Sequence, residues 1–139
     1  DTVELLLDRG ADLEAKDNDG DTALLCAARS GKVEAVALLL DRGADVKAKN
    51  RDGSTALMMM ASLGHKDTVE LLLDRGADLE AKDNDGDTAL LCAARSGKVE
   101  AVALLLDRGA DVKAKNRDGS TALMMMASLG HKDTVELLL

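Results

Sequence analysis

The sequence repeats itself without a single change. Residues 1–73 are identical, position for position, to residues 67–139, which is a period of 66 residues. Inside that unit lies a weaker period of 33, because residues 17–49 and 50–82 agree at 18 positions without gaps. We call these two segments repeat A and repeat B. Alternating units of this length are typical of a solenoid, in which each unit packs only on its neighbours and the core runs between layers.

The composition limits what can fill such a core. Phe, Tyr, Trp and Pro are absent from the 139 residues, so the core has to be built from Leu, Ala, Val and Met. Without aromatic side chains no base stacking is available, and a net charge of −8 repels a phosphate backbone, which argues against nucleic-acid binding. No apolar run exceeds six residues. A membrane helix needs about 20, so no membrane partner is expected either.

Repeat A is predicted to hold two helices and a turn. Thr22 is placed as the N-cap of a short apolar helix that Ser30 and Gly31 end. A second helix follows over residues 33–41, and Gly43 stands where a left-handed C-cap is needed. The polar stretch 45–53 is then a projecting turn. Repeat B shows the same pattern through Thr55, Gly64, Val69, Leu72, Leu73 and Gly76.

Two antiparallel helices and a turn in every 33 residues resemble the ankyrin repeat, and the resemblance covers the whole chain. It is carried by Asp19-Gly20-Asp21-Thr22-Ala23-Leu24, Ala27-Ala28, Gly31, Val36, Leu39-Leu40 and Gly43-Ala44-Asp45-Val46, each at the spacing that this family uses. The resemblance implies an all-α, ankyrin-type solenoid of helix-turn-helix repeats with projecting finger turns. We expect one domain over residues 1–139, divided into a partial repeat 1–16, repeats 17–49, 50–82 and 83–115, and a partial repeat 116–139.

The sequence departs from the family at the start of the first helix. The family's Thr-Pro-Leu-His is replaced by Thr22-Ala23-Leu24-Leu25 in repeat A and by Thr55-Ala56-Leu57-Met58 in repeat B. Leu25 and Met58 are therefore expected to substitute packing for the hydrogen bonds that the family's His makes between fingers. Met60 stands where the family usually has Ala, so we expect repeat A to supply small neighbours.

The resemblance also implies a partner-binding surface, because ankyrin repeats recognise partners on the concave side formed by finger tips and first helices. By position this surface contains Asn18, Asp19, Asp21, Arg29 and Ser30 of repeat A, and Arg51, Asp52, Ser54, Ser62 and Leu63 of repeat B, with Lys49 between them. The copies 66 residues later are Asn84, Asp85, Asp87, Arg95, Ser96, Lys115, Arg117, Asp118, Ser120, Ser128 and Leu129. Leu63 and Leu129 are either exposed anchors for a partner or half-buried residues.

Residues 17–21, Asp-Asn-Asp-Gly-Asp, look like the start of a calcium loop. An EF-hand loop needs Gly at its sixth position and Glu at its twelfth. Counted from Asp17, those places hold Thr22 and Ala28. We therefore interpret the segment as an acidic finger turn and expect no metal site.

No other residues indicate catalysis or a cofactor. His65 and His131 follow the glycine between paired helices and have no nucleophile beside them, so a structural role is expected. Cys26 and Cys92 lie two repeats apart, about 16–20 Å if layers are spaced 8–10 Å, which is too far for a disulfide. We expect both thiols to be buried and reduced, in the cytoplasm or another reducing compartment. The chain is predicted not to be an enzyme.

The methionine triplets should serve packing, because three consecutive residues span about 200° of a helix. Met59 and Met60 are expected to fill the layer between repeats, with Met58 near the neighbouring repeat.

Two functions remain open. The leading one is a non-enzymatic protein-interaction scaffold that uses the concave surface. The alternative is a structural or designed repeat protein that assembles head to tail, since the sequence starts and stops within a second helix without polar capping repeats. Identical 66-residue copies beside divergent 33-residue ones favour an engineered or excerpted array over a natural protein with a fresh duplication.

Overall fold

The computed structural model describes residues 2–139, so Asp1, where the predicted first partial repeat begins, lies outside them. These residues form nine α-helices and no strand. The helices are α1 (Thr2–Asp8), α2 (Ala23–Arg29), α3 (Val33–Asp41), α4 (Ala56–Leu63), α5 (Lys66–Asp74), α6 (Ala89–Arg95), α7 (Val99–Asp107), α8 (Ala122–Leu129) and α9 (Lys132–Leu138). None of the helices in this part of the chain has both the length and the apolar character needed to cross a bilayer.

Helix boundaries follow from capping groups in the sequence. The Oγ1 of Thr22 accepts a hydrogen bond from the backbone N–H of Leu25 at 3.3 Å, and Thr55 does the same for Met58. Each cap satisfies one of the backbone donors that a helix start leaves unpaired. Gly64 ends α4 with φ of 77°, in the left-handed region that side chains disfavour. The predicted caps are thus confirmed.

The inner helices α2, α4, α6 and α8 stack on one another, and each packs against the outer helix that follows it. The core lies between these layers and is formed by Leu, Val, Ala and Met. Leu25 and Met58, which replace the family's His, are both buried, so packing takes over at this position as expected. Met60 is fully buried, and α6, which packs on α4, contributes the fully buried Ala93 and Ala94. This agrees with the expectation that repeat A supplies small neighbours.

The finger turns are joined from repeat to repeat by the backbone. The N–H of Arg51 donates to the carbonyl of Asp19 at 3.1 Å, and Asn84 donates to Asp52 at 2.9 Å. The same bond joins Arg117 to Asp85 at 2.9 Å. Because each finger is fixed to the next, the tips form one continuous edge.

A second row of bonds runs along the finger bases. The Nζ of Lys16 donates to the carbonyl of Lys49 at 3.1 Å, Lys49 donates to Lys82 at 3.2 Å, and Lys82 donates to Lys115 at 3.3 Å. These bonds connect adjacent repeats along the finger bases.

Candidate functional site: the concave surface

Most residues of the predicted contact surface are accessible. The finger tips and bases are exposed at Asn18, Asp19, Lys49, Arg51, Asp52, Asn84, Asp85, Lys115, Arg117 and Asp118. The inner-helix residues are exposed at Arg29, Ser30, Leu63, Arg95, Ser96, Ser128 and Leu129, and Ser54, Ser62 and Ser120 are half-buried. Leu63 and Leu129 are therefore exposed apolar residues rather than half-buried ones.

The expectation that Asp21 and Asp87 lie on this surface is wrong. Their relative exposures are 2% and 0%. Asp21 is ion-paired with Arg29, whose NH2 donates to Oδ1 at 3.1 Å while NH1 contacts Oδ2. A buried carboxylate is stable only when paired and hydrogen-bonded, and the arginine eight residues later supplies that partner.

The next repeat adds a second hydrogen bond to Oδ1 of this carboxylate, whose Oδ2 meets only the ion-pair contact from Arg29. The side-chain amide of Asn50 donates to Asp21 Oδ1 at 2.9 Å. Meanwhile Asn50 Oδ1 accepts hydrogen bonds from the backbone N–H groups of Asp52 and Ser54, both at 3.0 Å. One amide side chain thus holds its own finger turn and ties it to the repeat before. We call this arrangement the Asp–Asn tie.

Repeat B lacks the ion pair, because serines replace both charged partners. Ser54 stands at the position of Asp21, and Ser62 stands at the position of Arg29. The Ser62 hydroxyl shares a hydrogen bond of 2.8 Å with the Ser96 hydroxyl of the next repeat. The concave surface therefore alternates between a paired arginine and two small hydroxyl side chains.

A pocket of about 270 Å³ opens where repeat B carries these serines. It spans three repeats and is lined by Arg29, Ser54, Met58, Met59, Ser62, Leu63 and Cys92. We call it the B-repeat pocket.

Sequence reasoning missed Met58, Met59 and Cys92 as residues that line a pocket. The expectation that Met59 fills the layer between repeats is only partly met, since its side chain is half-buried and lines this pocket, whereas Met60 is fully buried. One signal was present: Met58 and Ser62, and likewise Met59 and Leu63, are four residues apart and share a helix face.

The expectation that both cysteines are buried core residues is also wrong. Cys26 is exposed and Cys92 is half-buried, although their local sequences are identical. The inner helix α4 packs on α6 and covers part of Cys92, whereas no inner helix precedes α2 within residues 2–139. Burial raises the pKa of the Cys92 thiol to about 12 and also raises that of Cys26.

Each cysteine lies near two finger carboxylates. Potential ligand atoms of Asp17, Asp21 and Cys26 lie within 4.8 Å of one another. Asp21 is already bonded to Arg29, and Asp17 Oδ1 accepts the backbone N–H groups of Asp19 and Asp21 at 2.9 Å. The bond from the Asp21 N–H lowers the pKa of Asp17. These bonds hold the acidic cluster together as a finger turn.

The remaining candidates for chemistry were the histidines. His65 is half-buried, and its Nε2 lies 3.3 Å from the place where a Cβ on Gly31 would stand. His131 has the same relation to Gly97 at 3.2 Å. Both imidazoles thus pack against the turn of the preceding repeat.

A stack of helix pairs with a continuous row of fingers defines a helical-repeat protein with an extended concave face. A family model described as ankyrin repeats (3 copies) matches residues 1–83, 44–116 and 81–139. The chain belongs to the ankyrin-repeat family, whose repeats are generally protein–protein interaction modules. A search of curated proteins found no match.

Proposed function

We propose that this chain is a non-enzymatic scaffold that binds a protein partner on its concave surface. The observation that carries the proposal is the hydrogen-bonded row of finger tips, in which Arg51 bonds to Asp19 and Arg117 to Asp85. Such a row fixes the backbone of the fingers before a partner arrives. Binding then needs no ordering of the finger loops, which lowers its entropic cost.

The charges on the predicted contact surface indicate how a partner would be selected. The predicted contact surface contains six acidic and six basic residues, so the net charge of −8 is carried by the rest of the chain. Two of the six acids, Asp21 and Asp87, are buried under arginines. A partner is therefore selected by the local pattern of charges and by apolar contacts, rather than by a strong overall field.

Reversal of finger charges tests this proposal. The double variant Arg51→Glu and Arg117→Glu reverses the charge of two exposed finger-tip residues. Its matched control is Lys47→Glu with Lys113→Glu, two exposed lysines outside the predicted surface. Partners retained from a cell extract by the immobilised chain are compared by mass spectrometry. We expect the finger variant to lose binding about tenfold and the control to keep it, since a rim charge change is worth roughly 1.4 kcal/mol here.

Equal retention by both double variants would contradict the scaffold proposal, as would equal loss.

A second candidate function is head-to-tail stacking of copies. It is favoured by apolar residues that are buried inside the stack while their identical copies in the helices at the two ends of the described stack are exposed. Met58 is 3% exposed under α6, whereas its copy Met124 on α8 is 55% exposed. Leu72 is likewise buried and its copy Leu6 is exposed. A further repeat would cover these faces, whether it came from the same protein or from a second copy. Contacts between copies would be heterologous and open-ended.

Light scattering with refractive-index detection tests stacking in the 139-residue chain. We expect the mass to grow with protein concentration, and Met124→Lys to hold it at the single-chain value. A wild-type mass that stays constant over the concentration range would exclude stacking.

We also propose that the protein works in the cytoplasm or another reducing compartment. Both cysteines are free thiols, at equivalent places two layers apart.

A further inference from the structure

We infer that the B-repeat pocket binds one leucine- or methionine-sized side chain of an extended partner segment, with a carboxylate of the same segment bound by Arg29. The inference rests on the proposed scaffold function and names the chemistry that the scaffold would recognise.

The pocket exists because repeat B differs from repeat A at two positions. In repeat A, Arg95 crosses the same part of the concave face to reach the buried Asp87, with NH2 at 3.1 Å from Oδ1. In repeat B, Ser62 and Ser54 stand at these places and leave the space empty. Its volume of about 270 Å³ is larger than an apolar cavity of roughly 150 Å³ that accommodates a benzene ring, so one aliphatic side chain fits.

The lining suits an apolar group. Met58 and Met59 contribute flexible thioether side chains, which adapt to ligands of different shape. Leu63 is exposed at the same pocket and stands to lose water contact when an apolar side chain enters. The Cys92 thiol is protonated at neutral pH, because burial raises its pKa to about 12, and it adds no charge.

Arg29 supplies the pocket with hydrogen-bond donors for a carboxylate. It is the one charged residue among those that line the pocket, and its side chain is 49% exposed. Its partner Asp21 is fully buried behind it, so an incoming group meets the guanidinium first. NH2 donates one N–H to Asp21 Oδ1 and NH1 contacts Oδ2 as an ion pair, so the remaining N–H groups can donate to a carboxylate.

An extended segment can make both contacts at once. Alternate side chains of a strand point to the same side, so the pattern Leu-x-Asp would direct both groups at the concave surface. Because only repeat B has the serines, such a segment would be recognised in every second layer, about 16–20 Å apart.

The test uses the defined peptide Gly-Ser-Leu-Ser-Asp-Ser-Gly and methyl NMR of the six methionines of the full chain. We expect the Met58 and Met59 methyl signals to shift in a saturable way, while the fully buried Met60 and Met126 stay unmoved. Two matched peptides replace Leu by Ser or Asp by Lys. Each should bind about tenfold more weakly, or not at all.

Ser62→Arg then fills the pocket with the side chain that repeat A carries. It should weaken binding of the peptide about tenfold, whereas the control Thr2→Arg, at an exposed residue of the outer helix α1 outside the predicted contact surface, should leave binding unchanged. The inference is overturned if the Met58 and Met59 signals do not move, if the Leu-to-Ser peptide binds equally well, or if Ser62→Arg binds like the wild type.

The two proposals fail separately. A partner could fail to bind the Arg51→Glu, Arg117→Glu variant and still bind the Ser62→Arg variant. That result would leave the scaffold proposal intact and remove only the role of the B-repeat pocket.

Discussion

The side-chain amide of Asn50 donates a 2.9 Å hydrogen bond to the buried carboxylate of Asp21 in the preceding repeat. The same bond recurs between Asn116 and Asp87 at 3.0 Å. Repeat A supplies the buried carboxylate, and repeat B supplies the neutral amide that donates a hydrogen bond to it. At the opposite junction, from repeat B to repeat A, Ser54 replaces the carboxylate and Asp83 replaces the amide. The array therefore contains two kinds of interface in alternation.

Asn50→Asp should destabilise the fold by about 2–3 kcal/mol. The change removes a donor from a buried carboxylate and places a second carboxylate beside it. The free energy of unfolding is measured by urea titration followed by circular dichroism.

Asp17→Asn is the matched control for that variant, since it makes the equivalent position of repeat A resemble repeat B. Asn can accept the two backbone N–H groups that Asp17 accepts, as Asn50 already does. The expected cost is below about 0.5 kcal/mol. Similar costs for both variants would refute the special role of the Asp–Asn tie.

Alkylation should distinguish two thiols with identical neighbours in sequence. Cys26 is exposed and Cys92 is half-buried with a pKa raised to about 12, so Cys26 should react about tenfold faster with iodoacetamide. Proteolytic peptides that contain the two cysteines are identical and cannot be told apart, because the surrounding sequences are the same. The reaction is therefore followed by intact mass in the single-thiol variants Cys26→Ser and Cys92→Ser. Equal rates would show that α4 does not protect Cys92.

The raised pKa of Cys92 also predicts how stability depends on alkaline pH. The folded state keeps the thiol proton while the unfolded chain loses it above a pKa of about 8.5. The stabilising contribution is therefore complete below that pH and is lost as the pH rises toward about 12. Cys92→Ala should flatten the alkaline decline in unfolding free energy more than Cys26→Ala does. An unchanged slope in both variants would contradict the assignment.

The outer helices carry a row of ion pairs that should contribute little. Arg42 pairs with Asp8 at 2.9 Å, and Arg108 pairs with Asp74 at 3.0 Å. Because these pairs are accessible to solvent, Arg108→Ala should cost less than about 1 kcal/mol. The cost should fall further in roughly 1 M salt, where screening is strong. A larger loss that is insensitive to salt would mean that the arginine acts through packing of its alkyl chain.

Local sequence patterns predicted the helices and caps because those depend on neighbours in the chain. The Thr22 cap, the helix over residues 33–41 and the left-handed Gly64 each need only a few adjacent residues. They could be derived before any packing was known.

The burial of Asp21 could not be derived in this way, since it depends on Asn50, which lies 29 residues further along the chain. Cys26 and Cys92 show the limit most clearly. Their flanking residues are identical, and their different exposure arises from the helix that packs beside one and not the other.

The Asp–Asn tie makes the order of the repeats matter, because repeat A must be followed by repeat B for its buried acid to meet an amide. Deleting a single 33-residue repeat B would join two A repeats and bring the carboxylate of an Asp17-type residue against a buried Asp21-type carboxylate. Deleting or duplicating 66 residues keeps every acid beside its amide. The pair of repeats is therefore the unit that preserves both kinds of junction, whereas loss of repeat B alone leaves a buried carboxylate facing a second one.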